Sequence, residues 1–325
     1  MKAWMVKAWC EPHGMTFEEL PDPQPGPGQL RVKVEAAALN FLDTLMIQGR
    51  YQVKPAFPFT PGVEVAGIVE AAGAGSTHRV GARVCGNVGT GGYATHALLA
   101  DAAAAPIPAN LSFAEGAALP IVYPTAHLCL RDAGRMRAGE TVLVHAGAGG
   151  VGLAALQLAR AWGAGRIFAT AGGEAKLKVC REHGADEAWD YATDSWVENL
   201  KAATAGKGAD IIIDMVGGRV AEQSMRVLNW RGRFIVVGFA GGTIPNLPAN
   251  RLLLKSASAI GVFWGETAKR EPDLVRTVYG DLFALLSEGK IRPVVTNTYK
   301  LSDAPQAMID LATRKTHGKV VLVPD

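Results

Sequence analysis

The chain has 325 residues, 49% of them apolar, and its 33 Lys and Arg against 30 Asp and Glu give a formal net charge of +3. That length exceeds what one hydrophobic core usually organises, so about two domains are expected. A near-balanced charge without long runs excludes a nucleic-acid groove or an anionic membrane surface as partner, and no apolar run is long enough to span a bilayer.

Residues 1–20 read as irregular strand, and PDPQPGPG at 21–28 is a connector whose prolines sustain neither helix nor ladder. Residues 30–35 alternate apolar with charged, the period of a half-buried strand that shows Arg31, Lys33 and Glu35 to solvent. Further short strands at 63–70, 82–85 and 93–99, set between glycine turns, predict an all-β barrel or sandwich over about the first 120 residues. Helical character starts near Phe113.

The pattern then changes. Residues 142–144 form an apolar run suited to a buried parallel strand, and residues 153–161 carry apolar positions at helical spacing. Between them Gly147, Gly149 and Gly152 fit G-x-G-x-x-G, with Gly150 and Val151 inside the motif. Such a turn lets bare backbone approach a pyrophosphate, which then lies over a helix N-terminus whose free N–H groups and dipole favour an anion. Six strands alternate with helices, at 142–146, 166–170, 187–189, 210–214, 233–238 and 258–262, so the expected class is α/β with a doubly wound parallel sheet. Leu274, Val275, Val278, Leu282 and Leu285 describe a further amphipathic helix ended by Gly289. A last helix, capped by Ser302, leads to a strand at 319–323 expected to return to the first domain. Cys10, Cys85, Cys129 and Cys180 are scattered, with no C-x-x-C pair and no secretory leader, which suits a reduced cytoplasm.

Taken together, AAALNFLDTLMIQGRY at 36–51, PGVEVAGIV at 61–69, YPTAHLCL at 123–130, HAGAGGVG at 145–152, IDMVGG at 213–218, VGFAGG at 237–242 and HGKVVL at 317–322 resemble the medium-chain dehydrogenase/reductase superfamily. Within it the chain is most similar to the zinc-free NADPH:quinone oxidoreductases, over nearly its whole length. The resemblance implies a GroES-like β-barrel catalytic domain over 1–122 and 265–325, a Rossmann dinucleotide-binding domain over 123–264, and a cleft where the nicotinamide meets its substrate. Zinc-dependent relatives carry a cysteine in the segment that here holds Asn40 and Asp43, and a histidine where Val63 stands. Both ligands and a structural-zinc cysteine lobe are missing, and the seven histidines match no metal motif, so no metal is expected.

NAD enzymes place an acid about 20 residues after the glycine turn. Ala171 occupies that point, and Ala171, Gly172 and Gly173 leave room for a 2′-phosphate; by spacing alone Lys176 reads equally as its compensating charge or as a solvated helix residue, and Glu174 lies nearby. From the resemblance, Lys176 and Tyr191 hold this phosphate, Arg314 contributes to cofactor binding, Thr125 lies beside the nicotinamide, and Gly238, Phe239, Ala240, Phe263 and Trp264 belong to loops closing over cofactor and substrate. Phe263 and Trp264 read equally as core aromatics. NADPH is therefore the expected cofactor. The resemblance also assigns Asn40, Asp43 and Tyr51 to the substrate pocket: Asn40 as donor to a substrate carbonyl, Tyr51 as proton relay with solvent as its rival, and Asp43 as a residue that positions Tyr51 or caps local structure. His145, at the end of a buried strand, reads as structural. The expected activity is reduction of a quinone, with an enone, alkenal or enoyl-thioester as the alternative acceptor, and a nucleotide-binding protein with little turnover as a rival from another class. A homodimer or homotetramer follows from the resemblance alone.

Overall fold

The structure, a computed structural model, describes all residues 1–325 and divides into two compact units, Met1–Ile121 with Pro293–Asp325, and Val122–Arg292. No helix is long and apolar enough to cross a membrane.

The first unit is built on the ten-residue strand Gln29–Ala38, in which Leu30, Val32 and Val34 turn inward between half-buried or exposed neighbours. Period-two patterning makes this strand, and burial of its apolar face fixes its register. It pairs antiparallel with Glu64–Ala72, His96–Ala100 and Lys319–Val323. Two register shifts against Glu64–Ala72 bend the pair. Arg83–Asn87 and Ala104–Pro106 extend one side, and Val295–Lys300, parallel to Lys319–Val323, closes the other. The helix Ala304–Ala312 makes that parallel crossover and buries Ala304, Ala307 and Met308 in a core with Val65, Ile47 and Leu322. Ser302 does not cap this helix. It lies in the 3-10 turn Leu301–Asp303 that precedes it, and its hydroxyl and N–H are taken by the carboxylate of Asp325.

The second unit holds a six-stranded parallel sheet in the order Glu187–Asp190, Arg166–Ala171, Thr141–Val144, Ala209–Asp214, Leu228–Val236, Ser258–Gly261. Counted along the chain this is 3-2-1-4-5-6, the doubly wound dinucleotide-binding order. Its two central strands carry unbroken apolar runs, Val142 to Val144 and Ile211 to Ile213, because helices cover both faces.

One boundary differs from expectation. Residues 265–292 belong to the second unit rather than the first. The helix Pro272–Ser287 turns Val278, Leu282, Leu285 and Leu286 inward, its Asp281 bonds His127 at 2.9 Å, and Tyr279 meets Trp264 edge-on. An amphipathic stripe announces that a helix is buried, but not which sheet it covers.

Candidate active site

The strands Thr141–Val144 and Ala209–Asp214 are neighbours whose onward connections leave in opposite directions, which opens a crevice beyond their carboxyl ends. The glycine turn lies there. His145 N–H still bonds Ile213 O at 3.0 Å, after which Ala146 takes φ +48° and the chain turns into the helix Gly150–Ala161. Each glycine of the motif has its own reason. A Cβ on Gly147 would stand 2.8 Å from Ala169 Cβ and 3.0 Å from Cys180 Sγ, and one on Gly152 would stand 2.4 Å from Ala146 O. Gly149 is different: a Cβ there would meet a single atom, Ala146 O, at 3.3 Å, so the least crowded side of the turn is at Gly149. The first-turn N–H groups of Gly150, Val151 and Gly152 have no intrahelical acceptor, as at any helix start. That is a seat for an anion made of main chain.

His145 is fully buried, between Thr170 Oγ1 at 2.7 Å and Ser224 Oγ at 2.8 Å, and burial pushes its pKa down to about 3. It is neutral near pH 7 and supports the turn. Sequence reasoning passed over Asp214, whose carboxylate at the end of the neighbouring strand accepts from Val216 N–H at 2.8 Å and Gly217 N–H at 3.1 Å. Burial raises its pKa to about 6. The loop it shapes is bonded to the next: Ala240 N–H to Met215 O at 2.9 Å and Gly241 N–H to Val216 O at 2.8 Å, with Phe239 against Gly217. Gly238, Phe239 and Ala240 therefore lie on the carboxyl side of the sheet. Thr125 is buried in the helix Val122–His127. Trp264 is buried against Tyr279, whereas Phe263 is 42% exposed.

The second strand ends at the buried Ala171. Gly172 follows, where a Cβ would stand 3.7 Å from the Tyr191 ring, and then Gly173, which has φ +78° and donates its N–H to Asp190 at 2.9 Å. Lys176 stands in the first turn of the helix Glu174–Glu182. Glu174, the one acid in that turn, is engaged by Arg181 at 2.7 Å. Gly172, Gly173, Lys176 and Tyr191 thus lie beside the end of this strand, which closes on Ala171 rather than on an acid, while the Asp190 carboxylate of the paired strand accepts from the Gly173 and Ala192 N–H groups.

Asn40, Asp43, Tyr51 and Arg314 belong to the first unit, and there the structure reveals a buried polar cluster. Asn40 caps the helix Phe41–Ile47, and its N–H reaches Asp43 Oδ2 at 2.8 Å. The same oxygen accepts from Tyr93 Oη at 2.9 Å, while Asp43 Oδ1 has no partner. Burial raises the Asp43 pKa to about 7. Asn40 Nδ2 donates to Glu64 Oε1 at 2.7 Å, and Glu64 Oε2 accepts from Ile121 N–H at 3.1 Å. Lys319 Nζ completes the cluster, bonded to Leu39 O and Asn40 Oδ1 at 2.8 Å each and paired with Glu64. Glu64, Tyr93 and Lys319 escaped sequence reasoning. The one available signal was a charge inside each of two apolar strands, VEVAGIV and KVVLV. Tyr51 is half-buried against the main core, its pKa raised by burial and by Asp43. Arg314 is exposed with φ +61°. No group of three His, Cys, Asp or Glu side chains is placed to hold a metal. A cavity of about 440 Å³ lined by Asp132, Arg135, Arg233 and Ile260 shares none of these residues.

Residues 26–109 match the alcohol dehydrogenase GroES-like domain and residues 150–279 the zinc-binding dehydrogenase family. Rat quinone oxidoreductase-like protein 2 is 37% identical over 95% of this chain and 88% of its own length, and rat quinone oxidoreductase is 38% identical over 93% and 91%. The quinone oxidoreductase of Thermus thermophilus, solved also with NADPH, is 37% identical with a TM-score of 0.87 over 99% of this chain and 100% of that one. A structure described as an NAD-dependent alcohol dehydrogenase has a TM-score of 0.91 at 31% identity, with both chains fully covered. The fold is therefore shared by proteins named for different nucleotides and substrates, and local residues must decide between them.

Proposed function

This chain belongs to the quinone oxidoreductase family of the medium-chain dehydrogenase/reductase superfamily, and from that premise we propose that it is an NADPH-dependent reductase of quinones working in a zinc-free cleft. The observation that carries the reading is the corner beside the glycine turn. Ala171 stands where an NAD enzyme keeps its acid, and Gly172, Gly173, Lys176 and Tyr191 leave a space with a cation at its edge. An acid at that point would repel a 2′-phosphate, and its absence favours one.

When bound, NADPH supplies the reducing equivalent. The protein's work is to seat, orient and exclude. Residues 147–152 take the pyrophosphate on main-chain N–H groups, and Lys176 and Tyr191 take the 2′-phosphate. The loops 215–217 and 238–240 and Thr125 flank the nicotinamide. Asn40 offers an N–H to the acceptor oxygen as negative charge grows there. Tyr51 or solvent delivers the proton. Asn40 and Val63 supply neither sulfur nor imidazole, so the acceptor is polarised by hydrogen bonding rather than by zinc. A homodimer or homotetramer belongs to the same reading, from family membership alone.

The test is an acceptor panel with NADPH: para-benzoquinone, menadione and crotonaldehyde, followed through NADPH absorbance. Turnover of the quinones supports the reading. Turnover of the alkenal alone replaces it with an enone reductase, and tight NADPH binding without turnover of any acceptor replaces it with a nucleotide-binding protein.

A further inference from the structure

The Lys319 ammonium has three donors, and all three are used: Leu39 O, Asn40 Oδ1 and Glu64 Oε1. It arrives from a strand about 280 residues distant in sequence from Asn40, and sheet register puts it there. Val321 pairs with Ala38, Leu39 N–H bonds Val320 O at 2.8 Å, and the next residue on the antiparallel strand, Lys319, is opposite the helix cap. The consequence falls on the Asn40 amide. Its oxygen faces a group that can only donate, and its nitrogen faces a carboxylate, which as an anion can only accept. A flipped amide would set N–H against ammonium and oxygen against carboxylate. One Asn40 orientation is therefore enforced, and of the two Nδ2 hydrogens Glu64 takes one, leaving the other for an acceptor. The cation on the amide oxygen also polarises the side chain and strengthens that remaining donor.

We propose that Lys319, together with Glu64, is a positioning residue for Asn40 in the reduction reaction. The proposal rests on the reading that Asn40 contacts the acceptor. Buried ion pairs are often replaceable without loss of stability when both partners go together, whereas removal of one leaves an uncompensated charge. The first variant is therefore the neutral pair K319M/E64Q, made on the wild-type and N40A backgrounds of the full chain. The readouts are kcat and KM for para-benzoquinone and Kd for NADPH. A hydrogen bond involving a charged group accounts for roughly a tenfold or larger change in rate, so K319M/E64Q is expected to lower kcat about tenfold, leaving Kd for NADPH within about twofold. On the N40A background the same pair is expected to change kcat by less than about twofold, because the residue it acts through is gone. A merely structural role predicts the same factor on both backgrounds, and that result overturns the proposal, as does an unchanged kcat on the wild-type background. If N40A alone leaves kcat unchanged, the Asn40 reading fails and the proposal with it. If N40A lowers kcat and the factors multiply, the proposal fails by itself. Should the neutral pair not fold, Lys319→Gln in the same cycle separates the same two outcomes.

Discussion

Two glycines three residues apart in one turn should both lose nucleotide binding when each gains a methyl group, but only one of them should lose stability. At Gly152 the new Cβ would lie 2.4 Å from Ala146 O and 2.6 Å from Gly147 O. Both are backbone atoms, so the turn or the helix start must move by about 1 Å, and overpacking of this kind costs about 1–3 kcal/mol. At Gly149 the Cβ would be 3.3 Å from its one near neighbour, Ala146 O, a tight contact that a shift of a few tenths of an ångström relieves, and φ is −82°, a conformation any residue adopts. Gly149→Ala should therefore change unfolding free energy by no more than about 1 kcal/mol, yet its methyl group occupies the least crowded side of the turn, where the pyrophosphate approaches. The expected result is a loss of at least about tenfold in NADPH affinity, or about 1.4 kcal/mol, with normal stability. Gly152→Ala should lose both stability and binding. Urea unfolding and titration of NADPH fluorescence measure the two effects on the same preparations. A Gly149→Ala protein that binds NADPH like wild type would refute the idea that bare backbone seats the nucleotide here.

Lys176→Ala should weaken NADPH by about tenfold or more while leaving NADH nearly unchanged, the scale of a lost charge-assisted phosphate bond; equal losses in paired titrations would remove Lys176 from the phosphate site. Tyr51→Phe should slow any enone the enzyme accepts by about tenfold or more, with para-benzoquinone within about twofold because solvent can protonate it; unchanged rates for both acceptors would discard Tyr51 as proton relay. His145 has a folded pKa of about 3, against about 6.5 when unfolded. The unfolded state thus binds the extra proton between those values, and this contribution to stability is present above about pH 6.5 and is lost as pH falls toward 3. Between about pH 7 and pH 5 the loss is about 2 kcal/mol, and His145→Asn should abolish it; an identical acid slope in both proteins by urea unfolding would contradict the assignment.

What could be read from the amino acids was whatever is local. The alternation at 30–35 and the apolar run at 142–144 become strands because period and burial are set by neighbours along the chain. The glycine spacing marks its turn for the same reason, and the doubly wound class follows from alternating strands and helices, whereas the strand order 3-2-1-4-5-6 is read from the structure. The polar cluster of the first unit was not legible. Lys319 and Glu64 are 255 positions apart, and a charge at a strand position reads as solvent-facing until the sheet register that buries it is known. The helix Pro272–Ser287 was visible as an element but was assigned to the wrong unit, because periodicity identifies an apolar face without its partner. Asn40 was recognised through a motif, while the ammonium that fixes its amide lies in another motif at the far end of the chain.

The most direct test of a metal-free, NADPH-driven reduction is a single-turnover experiment. The full chain is dialysed exhaustively against a chelator, loaded with NADPH, and mixed with para-benzoquinone while nucleotide absorbance is followed. Full oxidation of the bound nucleotide is expected, undiminished by removal of metal, together with tighter loading of NADPH than of NADH. Failure to take up either nucleotide, or oxidation that returns only when zinc is added back, would contradict it.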